Sequence, residues 1–172
     1  MLKATEKNES IVLWYCGQNY NCWERNKNGE WFLIPQEAEP GKQYTAQEIW
    51  RLKGADTNCM VHRREILETV GGWDEQCGWC EDWDFFLRVF LEYPGRIKWT
   101  GNILVEYRQV FGSGADGICA EARENVEREI INRRYLLEKW KTHPDFAASE
   151  TLNKGPKDFL SMRAKVELAC SK

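Results

Sequence analysis

The stretch Gly71-Gly72-Trp73-Asp74-Glu75-Gln76-Cys77-Gly78-Trp79-Cys80-Glu81-Asp82-Trp83-Asp84 decides how this chain is read. Carboxylates recur through it, framed by three tryptophans and three glycines. Glycine lets a backbone approach a ligand closely, and an indole face suits stacking on the apolar face of a sugar or a base. The stretch opens onto a predicted helix over Glu81 to Tyr93, ended by Pro94-Gly95. At 100° per residue, Glu81, Asp84, Arg88 and Glu92 form one polar stripe, and the rest of the helix is apolar and expected to be buried. Asp82 falls beside Phe86 and Val89 instead. There, partial desolvation raises a carboxylate's proton affinity while the helix N-terminus lowers it, an opposition that can poise a general base. Spacing alone favours, by roughly two to one, the plainer reading of Glu81 and Asp82 as first-turn acids that complement the macrodipole.

Upstream, Ile11 to Cys16, Tyr20 to Trp23 and Trp31 to Ile34 read as strands, with Asn26-Lys27-Asn28-Gly29 as a hairpin turn. Pro35 to Gly41 reads as a loop. Thr45 and Glu48 have capping-box spacing for a short helix reaching about Lys53. Asn58 to His62 is expected to be a buried strand, and Arg63 to Val70 a short helix stopped by Gly71-Gly72. Downstream, Arg96 to Trp99 and Ile103 to Arg108 read as two strands, Phe111 to Gly117 as a glycine-rich loop, and Ile118 to Lys141 as a long helix. That helix places Cys119, Ala122, Val126, Ile130, Leu137 and Trp140 on its apolar face. Residues 142–172 read as an extension in which Lys157 to Ala169 have amphipathic spacing.

The chain has 172 residues, enough for one ordinary domain, and its 42% apolar content supports a core. A net charge of −3 disfavours a surface built to grip nucleic acid. No apolar run reaches membrane-spanning length and the start carries no signal-peptide core, so the chain is expected to be soluble and cytoplasmic. In that compartment the seven cysteines are expected to be reduced, buried thiols rather than disulfides.

Several of these residues fall in a specific order: Arg63-Arg64, Gly71-Gly72-Trp73-Asp74-Glu75, Glu81-Asp82-Trp83-Asp84, Arg88 and Tyr107-Arg108. In that order and spacing the run from Met60 to Arg108 resembles the second half of the GT-A-fold, inverting glycosyltransferases that use nucleotide-diphospho-sugars. The resemblance implies an α/β fold: a mixed sheet with flanking helices, forming a partial GT-A domain over residues 1–141 that lacks the N-terminal nucleotide-binding half. It implies sugar transfer from a nucleotide-diphospho-sugar donor to an acceptor hydroxyl, with Asp82 as general base and Glu81 orienting it. Trp73, Asp74, Glu75, Trp79 and Asp84 would border the acceptor, and Arg108 would lie near the donor diphosphate. A divalent cation, Mn²⁺ or Mg²⁺, is expected for the complete enzyme, but its Asp-x-Asp ligands are absent from this chain. Asp82-Trp83-Asp84 occupies the base position, and Val110 stands where many relatives have a histidine. An exposed surface left by a missing half would favour homo-oligomerisation.

Two other classes compete. Cys77-Gly78-Trp79-Cys80 is a C-x-x-C that Cys16 and Cys22 could complete as a zinc site, although Glu81-Asp82 beside it disfavour a thiolate. A non-catalytic carbohydrate- or partner-binding module derived from a transferase is the third reading. His62 and His143 read as strand-end and loop residues. Arg88 reads as part of a surface ion pair.

Overall fold

The computed structural model describes residues 8–35, 38, 40–52, 56–111 and 126–146. Its centre is a long strand, β1 (Leu13–Arg25), whose first six residues are all buried. β2 (Trp31–Pro35) and β3 (Met60–His62) pair antiparallel with the far and near ends of one edge of β1, and β4 (Ile97–Phe111) runs parallel along the other edge. The sheet is therefore mixed, as the sequence predicts. Among the described residues four helices accompany it: α1 (Ala46–Leu52), α2 (Ile66–Val70), α3 (Glu81–Glu92) and α4 (Val126–Trp140), with 3₁₀ turns at Thr57–Cys59 and Glu75–Cys80. No helix among the described residues is long and apolar enough to cross a membrane.

Local chemistry accounts for most of these boundaries. In the β1–β2 turn, Asn26 Oδ1 accepts from Asn28 N and Glu30 N, each at 2.9 Å, and Gly29 takes φ 85°. Thr45 and Glu48 form the expected capping box, with Thr45 N to Glu48 Oε2 at 2.9 Å and Glu48 N to Thr45 Oγ1 at 3.2 Å. Lys42 also donates to Glu48, and this pairing, helped by the Thr45 backbone, pulls the Glu48 carboxyl down to about 2. Gly71, at φ 78°, terminates α2.

The strand plan differs from the sequence reading in three places. The two predicted strands before the hairpin are one strand, because Gly17 absorbs irregular register against β4 without ending the pairing. Arg96 to Arg108 likewise forms one strand interrupted at Thr100–Asn102, where Gly101 at φ 76° and Asn102 N on Thr100 Oγ1 make a tight bulge. The segment expected as a buried strand is a 3₁₀ turn followed by the half-buried β3.

The core lies between the sheet and α3. Tyr15 packs edge-on against Phe86, with centroids 5.4 Å apart, and its hydroxyl donates to Lys42 O at 2.6 Å while accepting from Tyr44 N at 2.8 Å. One buried hydroxyl thereby holds the loop before α1. Trp83 on α3 donates its indole N–H to Ile49 O of α1 at 2.9 Å, and Trp50 stacks on Phe146.

Helix α4 closes the far side with Asn132, Leu136 and Trp140 buried. The predicted face is met at Trp140 and in part at Leu137, which packs against the core half-buried; the fully enclosed Leu136 and the polar Asn132 add to it. Cys119, Ala122, residues 112–117 of the glycine-rich loop, residues 157–169 and the side chains of Val126 and Ile130 fall outside the described residues.

Asn132 meets the 3₁₀ turn at Gly78, which adopts φ 52°, ψ −122°. A Cβ there would lie 2.6 Å from Asn132 Cγ in a backbone region that glycine alone enters readily. Gly78→Ala is expected to lower unfolding stability by about 2–3 kcal/mol, seen as a reduced denaturant midpoint at unchanged m-value. The double variant Gly78→Ala/Asn132→Ala should recover only the steric part.

Candidate functional site

The acidic stretch divides on folding. Asp84, on the first turn of α3, has 0% exposure. Arg88 Nε donates to its Oδ2 at 2.8 Å, while Trp140 Nε1 and Lys139 Nζ each reach its Oδ1 at 2.9 Å. The predicted polar stripe on α3 is thus corrected: its second member points inward, because the end of α4 brings a cation and an indole N–H against that face. As a substrate contact Asp84 is enclosed, with both oxygens engaged by the fold.

Arg88 does more than form the expected surface pair. Besides Asp84, its guanidinium donates to the carbonyls of Val70, Gly71 and Gly72, the last at 2.7 Å, and so satisfies the C-terminal carbonyls of α2. Two glycines let the chain bend around this planar fork.

Asp74 joins the same hub. Its Oδ1 accepts from Gln76 N at 3.0 Å, opening the 3₁₀ turn, and its Oδ2 accepts from Lys139 Nζ at 2.6 Å and Tyr135 Oη at 3.2 Å. Lys139 holds the Asp74 carboxyl below the usual aspartate range. Burial works against the Lys139 charge, but its hydrogen bonds to both carboxylates outweigh this and raise its pKa.

Ligand atoms of Asp74, Cys77 and Asp84 lie within 4.8 Å of one another, a grouping that on composition could hold a metal. Lys139 already supplies the cation there and Arg88 the second positive charge, so two carboxylates face two cations. Burial, then the Asp84 and Asp74 charges, push the Cys77 thiol up to about 12. The group does not fit a divalent ion.

The four-thiol zinc set is not assembled either: among the described residues no ligand group contains Cys16, Cys22 or Cys80. Cys16 neighbours Cys59, donating to its carbonyl at 3.4 Å, and Cys59 in turn donates to Gln18 Oε1 at 3.0 Å. All five described cysteines are buried. Burial raises the Cys16 pKa and pushes Cys59 up to about 12.

Asp82 takes a different course from Asp84. It is 6% exposed, and its Oδ1 accepts from Trp83 N at 2.7 Å at the start of α3. Glu81 beside it is half-buried, and Glu75 is exposed. The three tryptophans diverge rather than converge. Trp73 is 40% exposed and packs on Phe85 with centroids 4.3 Å apart, Trp79 carries the Arg128 guanidinium at 5.1 Å, and Trp83 is core. Arg108 lies on β4 in register with Asn21, toward the hairpin end of β1, its guanidinium 5.4 Å from the Trp23 ring centroid.

Sequence reasoning missed Lys139 and Tyr135, and placed Trp140 on the apolar face without its bond to Asp84; the three complete the hub. Their only signal is i,i+4 and adjacent spacing near the end of a helix, which does not reveal a buried carboxylate opposite. Comparison with protein-family models, with curated proteins and with solved structures finds no match to this chain.

Two outcomes follow from the hub. Asp84→Asn leaves Arg88 and Lys139 facing a neutral amide and is expected to cost about 3–5 kcal/mol of stability, whereas Lys139→Met, which leaves Arg88 and Trp140 on Asp84, should cost clearly less; urea titrations of both variants make the comparison. In alkylation at mildly alkaline pH followed by peptide mapping, Cys16, Cys59 and Cys77 should stay unmodified in the native protein and react after denaturation.

Proposed function

We propose that this chain provides the acceptor side of an inverting glycosyltransferase that uses a nucleotide-diphospho-sugar donor. The observation that carries the reading is the position of Asp82, an acid 6% exposed at the N-terminus of α3 whose Oδ1 accepts from Trp83 N. The hub clamps the loop from Gly71 to Cys80 against α3 and α4, so Asp82 is presented on a rigid element.

In the proposed reaction an acceptor hydroxyl attacks the anomeric carbon of the donor sugar in line with the leaving diphosphate. Its proton passes to Asp82 as the new glycosidic bond forms and the bond to the diphosphate oxygen breaks. Glu81 orients the base, while Trp73 and Glu75 border the acceptor from the exposed rim. The Asp74–Cys77–Asp84 group, filled by Lys139, does not fit the divalent cation expected for such transferases.

A second reading, a carbohydrate- or partner-binding module without catalysis, is favoured by one feature: the exposed Trp73 indole braced by Phe85 offers a stacking face with no need of a base.

Asp82→Asn separates the two. In the catalytically complete enzyme, assayed by mass-spectrometric detection of transferred sugar across a panel of nucleotide-diphospho-sugars, it should lower the rate about 10²–10⁴-fold while acceptor binding and the circular dichroism spectrum are retained. Turnover at the native rate would remove Asp82 as base, and acceptor binding in a protein that never transfers sugar would favour the module.

A further inference from the structure

We propose that the outer edge of β4 is a homodimerisation edge, on which residues 103–111 pair antiparallel with the same segment of a second copy about a two-fold axis at Tyr107. One edge of β4 is taken by β1, and among the described residues no strand pairs with the other.

The first part of that edge is closed by a side chain. Gln43 donates to Ile97 O at 3.1 Å and accepts from Trp99 N at 2.9 Å, so its amide takes the place of a neighbouring strand. The bulge at Thr100–Asn102 then interrupts the strand. Beyond it, Ile103-Leu104-Val105-Glu106-Tyr107-Arg108-Gln109-Val110-Phe111 runs for about 30 Å with no proline, glycine or lysine to blunt pairing. Two of its apolar residues are exposed, Ile103 at 37% and Leu104 at 53%.

The sequence of this edge is complementary to itself. With the axis at Tyr107, Glu106 of each copy stands opposite Arg108 of the other, and Leu104 stands opposite Val110. The two ion pairs are symmetry-related and lie on the same sheet face as the two apolar pairs, as a closed two-fold interface requires. The charged side chains are already set on that face: Asn21 donates to Glu106, and Arg108 rests over Trp23. A second copy supplies both halves of the match, which an arbitrary strand would not.

The test is sedimentation velocity of the purified chain across about 1–100 µM, with single and paired charge reversals. The native chain is expected to sediment as a dimer of twice 20.2 kDa at the upper end of this range. Glu106→Lys and Arg108→Glu each oppose like charges and should raise the dimer dissociation constant about tenfold or more. The exchange Glu106→Arg/Arg108→Glu restores both pairs and should restore the dimer, a recovery that a variant with a damaged fold would not give. A chain monomeric throughout would overturn the proposal. So would a dimer indifferent to both single reversals, which would lie on another surface, or a failure of the exchange to rescue. Neither result bears on Asp82 as base.

Discussion

A carboxylate with no access to water must be matched by donors on every side, and the fold is organised around one such group, Asp84. Its partners come from its own helix and from the last turn of α4, while Arg88 reaches on to the carbonyls that end α2. An uncompensated charge at this depth would cost several kcal/mol, so docking of α4, closure of the Gly71–Cys80 loop and termination of α2 are coupled to one another. Asp74 extends the coupling by sharing Lys139, which fixes the far end of the loop to the same cation.

What could be read in the sequence was local. The capping box at Thr45 and Glu48, the hairpin turn, the glycine stop after Val70 and the extent of α3 each depend on residues within a few positions of one another. The mixed sheet with flanking helices is what the resemblance implies, and no local signal specifies which strands pair. Asp84 was misplaced because an i,i+4 pair with Arg88 looks the same whether solvent or another helix covers it; only the arrival of Lys139 and Trp140 decides. The inward stripe of α4 is legible at Trp140 and incomplete elsewhere for a related reason. Its second landmark is the polar Asn132, whose burial against Gly78 no count of apolar residues would suggest. The Cys16–Cys59 contact is a product of β1–β3 register, which hydropathy cannot supply.

The same electrostatics bear on the candidate metal group. Replacing Lys139 by a divalent ion would require displacing a cation that two carboxylates hold. That cost arises from the pairings that keep Asp74 and Asp84 inside. A group so balanced serves the fold, and its ligand-like composition follows from proximity.

The motif divides into two parts. Gly71 and Gly72 accept from Arg88, Asp74 binds Lys139, and Asp84 anchors the hub, so a stable fold would call for these residues whatever the protein does. Trp83 is likewise used by the core, through Ile49. The remaining members are divided between packing and surface: Trp73 packs on Phe85 while leaving 40% of its surface in solvent, Asp82 accepts from Trp83 N at the start of α3, and Glu75 is exposed.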